Sequence, residues 1–124
     1  MTEVYKYKVE FESQDWKRIV GFLLSEADSL IIPIKEAAEK IKEIEKRRPK
    51  MIIFPKITIV KEAEEYYELA MKIFKYVEDI IRQLEEQFID VSELKEELKR
   101  DRDRLNEAIE KLNKIIKETE HLKD

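Results

Sequence analysis

Seven cations crowd residues 42–61. They are Lys42, Lys46, Arg47, Arg48, Lys50, Lys56 and Lys61, set against Glu43 and Glu45. Lysines and arginines at this density suit a phosphate backbone, whose contacts release counterions. Phe54 stands among them and would offer a face for base stacking. Lys46, Arg47, Arg48, Lys50 and Lys56 therefore form a candidate nucleic-acid patch. The same cations also suit the last turn of a helix, where unpaired carbonyls carry partial negative charge. The chain as a whole has a net charge of −4, which weakens any long-range pull on nucleic acid. Nucleic acid is thus the second choice of partner.

Other chemistry finds few residues to work with. The single histidine, His121, stands near the end of the sequence, a poor place for a general base. There is no cysteine, so disulfides, thiolate zinc sites and Cys-His nucleophiles are excluded. One glycine cannot build a phosphate-cradling loop or a dinucleotide-binding turn. Glu62, Glu64, Glu65, Glu68, Glu78 and Asp79 could hold Mg²⁺ only if they converged. Glu65, Glu68, Glu78 and Asp79 instead fall outside the apolar seam of their helix, on faces expected to be wet. The expectation is a protein without catalytic residues, metal, cofactor or small-molecule substrate.

The elements that must position these residues are mostly helical. From Val60 to Val91 an apolar residue recurs at alternating three- and four-residue steps. The series is Val60, Ala63, Tyr67, Ala70, Phe74, Val77, Ile81, Leu84, Phe88 and Val91. This is a heptad seam about 45 Å long at about 1.5 Å per residue. A compact domain of this length would measure only about 35 Å across, so an elongated molecule is expected. Tyr66, Ile73 and Ile80 form a second apolar line beside the seam, and Leu69 and Tyr76 a third. A surface helix has one stripe. Tyr66, Leu69, Ile73, Tyr76 and Ile80 are therefore the candidate interface, for a homodimer or a hetero-oligomer with another protein.

Upstream, residues 3–11 alternate Tyr5, Tyr7, Val9 and Phe11 with polar neighbours, as a half-exposed strand does. Ser13 can cap a first helix presenting Trp16, Ile19, Val20, Leu23, Leu24 and Ala27, with Gly21 either a weak point or, the preferred reading, a close packing contact. Asp28, Ser29 and Pro33 predict a break near residues 28–32, then a second helix to about Arg48. One long helix kinked at Pro33 is the alternative. Residues 51–54 read as a buried strand ended by Pro55, and Thr58 as the cap of the long helix. Asp90 and Glu93 have capping-box spacing, with Ile89 and Leu94 placed as a hydrophobic staple. They predict a turn before a last helix from Val91 to about Glu120. In that helix Asp101 and Arg102 interrupt the apolar stripe, either to fix register or where the stripe slides outward.

Charged residues make up 44% of the chain and hydrophobic residues 43%. Interleaved charges of both signs suit solvated helix faces. Little glycine with abundant Lys, Glu and Ile resembles hyperthermophile usage, as in small proteins of archaea and their viruses. The longest uncharged apolar runs, 19–24 and 30–34, are far short of the roughly 20 residues that span a bilayer. The expected location is the cytoplasm, away from membranes. The fold expected is mainly α: a helical hairpin or coiled-coil bundle with a small two-segment β-sheet, in one elongated domain over residues 1–124. The function expected is a non-enzymatic protein–protein interaction module: an adaptor, assembly or inhibitor protein. A nucleic-acid-associated regulatory protein using residues 46–56 is the alternative.

Overall fold

The computed structural model describes residues 15–47 and 53–120. Three helices account for nearly all of them: α1 (Asp15–Arg47), α2 (Ile53–Glu86) and α3 (Ser92–Glu118). They run up, down and up. Lys95 meets Glu85 and Arg102 meets Glu78, so α3 is antiparallel to α2. Arg104 meets Asp28 and Lys111 meets Glu39, so α3 is parallel to α1. With 33 and 34 residues, α1 and α2 are each about 50 Å long. α1 shares most of its length with α2 and less with α3, while α2 and α3 touch least.

Among the described residues there is no strand. The strand expected at 3–11 lies outside them, as do Met51 and Ile52. Ile53 and Phe54, expected in the second strand, open α2 instead. Pro55 explains the reversal. It is the third residue of the helix, where backbone N–H groups have no intrahelical acceptor, so its missing donor costs nothing. Thr58 is consequently an exposed residue of the second turn and caps nothing.

The break expected at residues 28–32 is also absent. α1 runs straight through Pro33, and Ser29 turns its hydroxyl back to the Glu26 carbonyl at 2.7 Å in place of capping forward. Pro33 costs about 3 kcal/mol in a helix interior. Against that, Trp16, Val20, Leu24, Ala27, Ile31, Ile34, Ala38 and Ile41 make one unbroken buried stripe. Each large member contributes roughly 1.5–3 kcal/mol, and a break would misalign half of them. Gly21 is not a packing point: a Cβ there would meet nothing within 4 Å.

The seam of α2 is the core, with Ala63, Ala70, Phe74, Val77, Ile81 and Leu84 buried and Val60 and Tyr67 packed against them. Its last helical step fails. Phe88 is 96% exposed and has φ 61°. It is the left-handed residue of a Schellman ending: Ile89 N–H donates to Leu84 O at 3.0 Å and Phe88 N–H to Glu85 O at 2.9 Å. The hairpin expected here therefore stands. Val91 is the N-cap of α3, its carbonyl accepting from Lys95 N–H at 2.9 Å. Asp90, one residue earlier, accepts from Ser92 N–H at 3.1 Å and Ser92 Oγ at 2.8 Å. Asp90 is therefore not the N-cap and no capping box forms: no side chain caps α3, and the Asp90 bonds close a short turn onto Ser92. Ile89 and Leu94 are both half-buried against the core.

Candidate docking surface

The two α3 interfaces are set by ion pairs. Arg104 donates to both carboxylate oxygens of Asp28 at 3.0 Å and also to Asp101. Asp101 is buried. Burial first, then the neighbouring Asp28 carboxylate, raise its pKa above the ordinary value, against the pull of Arg104. Arg102, half-buried, donates to Glu78 at 2.9 Å and holds that carboxyl below its ordinary pKa. The polar interruption of the stripe thus serves two helices, Asp101 toward α1 and Arg102 toward α2. Between α2 and α3 a groove of about 520 Å³ has Ile81 and Leu98 in its lining and is flanked by the charges of Glu78, Arg82, Glu85, Lys95, Lys99 and Arg102. Most of these charges are already paired.

The candidate nucleic-acid patch is divided. Lys46 is exposed at the end of α1, which closes on Arg47. Arg48 and Lys50 lie outside the described residues. Lys56 is buried, and its Nζ donates to the Thr119 carbonyl at 2.8 Å. Thr119 itself is buried and returns its hydroxyl to Ile115 O at 2.7 Å. An ammonium placed on the last carbonyls of α3 answers the negative end of that helix. Lys56 therefore ties the start of α2 to the end of α3 and does not face outward as a phosphate ligand.

Of the exposed apolar residues, Ile19, Phe22, Tyr66 and Leu69 fall on the other side of the molecule, whereas Ile32, Ile57 and Met71 are exposed elsewhere. Counting about 100° per residue, Glu78 and Glu85 mark the flank of α2 that meets α3. Tyr66, Leu69, Ile73, Tyr76 and Ile80 fall on the flank away from it. Ile80 is buried, Ile73 and Tyr76 are half-buried, and Leu69 and Tyr66 are 48% and 37% exposed. The five residues therefore share a side of the helix at different depths, and only the outer ones reach solvent. On α1, Asp28, Lys35 and Glu39 mark the flank toward α3. Ile19, Phe22 and Pro33 fall on the opposite flank, with Phe22 62% exposed. The outer groove between α1 and α2, away from α3, is thus an apolar face. Phe22 is the residue that the sequence reading passed over. The signal was there in principle: Phe22 lies off the buried stripe of α1 at a position where a solvated helix would carry a charge.

Among the described residues no three acidic or imidazole groups converge as a metal site would require. No described helix is long and apolar enough to cross a membrane. Comparison with family models, with curated proteins and with solved structures finds no match.

Proposed function

We propose that the protein is a non-enzymatic interaction module whose docking surface is the outer α1–α2 face. The observation that supports this reading is that Phe22 and Ile19 toward one end, and Leu69 and Tyr66 nearer the middle, all at least one-third exposed, lie on the face that α3 leaves open, with half-buried Ile73 and Tyr76 between the two pairs. Large apolar side chains scattered singly over a surface need no explanation, but a line of them along one groove does. A partner helix or pair of helices fits such a groove by ridge-into-groove packing.

The nucleic-acid reading keeps Lys46 and Arg47 but gives up Lys56, whose ammonium is engaged with Thr119. Capture from native lysate, with and without nuclease, tests both. Tagged wild-type chain is expected to retain protein partners, or a second copy of itself, regardless of nuclease. Phe22→Glu with Leu69→Glu should lose them while keeping helical circular dichroism. Retention that disappears with nuclease and survives the double substitution would overturn the reading.

A further inference from the structure

We infer that the occupant of this face is a second copy of the chain. The two α1–α2 hairpins lie face to face about a twofold axis parallel to the bundle, and the two α3 helices lie outside. This rests on the docking reading above and names its partner. Such an axis places α1 of one copy against α2 of the other, and these run in opposite directions. The result is a four-helix core in which every neighbouring pair is antiparallel.

Charge placement supports that occupant. Lys40 and Ile44 share a depression with Ile59, which fixes the level of α1 against α2. Stepping about 3.6 residues per turn up one helix and down the other, Lys40 comes level with Glu62. Pro33 comes level with Leu69, and Glu26 with the turn from Lys72 to Tyr76. Lys40, Glu62, Glu26 and Lys72 are all exposed, and none forms an ion pair among the described residues. Each lies on the outer flank of its helix, so it points past its own neighbour. The proposed axis brings Lys40 level with Glu62 of the other copy, and Glu26 to within one turn of its Lys72, a gap that the long lysine side chain can span. The same operation sets Pro33 over Leu69 and Phe22 level with Ile80, one turn from Tyr76. Glu36, which would be level with Glu65, lines the depression toward α3 instead.

The extent of the face is also adequate. From Ile19 to Lys40 it runs about 32 Å, and two helices of roughly 10 Å give it a width of about 20 Å. That is on the order of 600 Å² in plan, near the roughly 800 Å² per partner of a standard interface.

The test uses the full chain, which has no cysteine. Light scattering at micromolar concentration should give twice the 15.0 kDa chain mass, and Phe22→Glu with Leu69→Glu should return it to one chain with helicity intact. Lys40→Cys chains mixed with Glu62→Cys chains should form a disulfide-linked dimer on mild oxidation, several-fold more than either alone. Each variant carries one thiol on an exposed site, so neither can close on itself and neither should disturb the fold. A one-chain mass for wild type, or mixed chains that link no better than single ones, would overturn the inference. If wild type has a one-chain mass and the face still captures another protein from lysate, the second copy is refuted and the docking reading survives. If neither occurs, both fall.

Discussion

Phe88 is the residue most at odds with its surroundings. A left-handed backbone costs a non-glycine residue roughly 1–2 kcal/mol, and its ring gains nothing in return because it is 96% exposed. Phe88→Gly should therefore raise stability by about 1 kcal/mol, read as a shifted urea midpoint with unchanged slope. Asp101 carries the opposite kind of tension. Its carboxyl pKa is raised in the fold, first by burial and then by Asp28. The native state therefore holds the proton more tightly than the unfolded chain does. Its contribution to stability falls as pH rises from the ordinary carboxylate value of 3.8 through the higher folded value. Asp101→Asn removes that titration. Urea unfolding of the two proteins should show wild type losing stability relative to the variant across that window. A difference that does not change with pH would contradict the assignment. Asp90 and Glu78 work the other way: their lowered values, set by Ser92 and Arg102, make contributions that are present above the ordinary carboxylate pKa and lost in acid.

At the scale of the element, Gly21 and Pro33 show what a local rule can miss. Gly21 sits in mid-helix, exposed, with open space where a Cβ would go. Gly21→Ala should stabilise α1 by roughly 0.5–1 kcal/mol, and a thermal melt showing a loss instead would mean that the backbone there is closely approached. The preferred sequence readings, Gly21 as a packing contact and Pro33 as a break, both fail, and the second choices, a weak point and one continuous helix, are nearer the structure. The buried stripe on either side of Pro33 was legible, but Ile31, which joins its halves, lies inside the expected break. Joined through Ile31, the apolar period continues across Pro33, and period outweighs a single breaker when both halves are buried by the same neighbour. The opening of α2 was misread for a related reason: Ile53 and Phe54 suit a strand or a helix equally, and only the position of Pro55 near a helix start decides between them. The seam and the hairpin turn were legible because heptad spacing and helix-end residues are local signals. The partner half of the face, Phe22 on α1, depends on which flank α3 covers, and that is a tertiary fact.

For the whole molecule, the three interfaces form across different stretches of chain. α1 and α2 are joined by a short connection, whereas Arg104 and Asp28 are 76 residues apart. Closing that loop costs entropy before any packing is gained. α3 also has the thinner share of the interfaces, being well packed on α1 and little on α2. Native-state hydrogen exchange should therefore show α3 amides opening in a cooperative step of lower free energy than those in the middle of α1 and α2. Equal protection across all three helices would refute this order. The parallel course of α1 and α3 has a mechanical consequence as well. Residue 15 lies at one end of the bundle and residue 118 at the other, so tension applied between them runs along the helix axes. The interdigitated side chains and the Asp28–Arg104 and Glu39–Lys111 pairs would be loaded in shear, together, and not peeled apart one at a time. Pulled between these points, the bundle should yield at a higher force than when α3 is drawn away by its turn at residues 87–91, where the Glu85–Lys95 pair is the first to part.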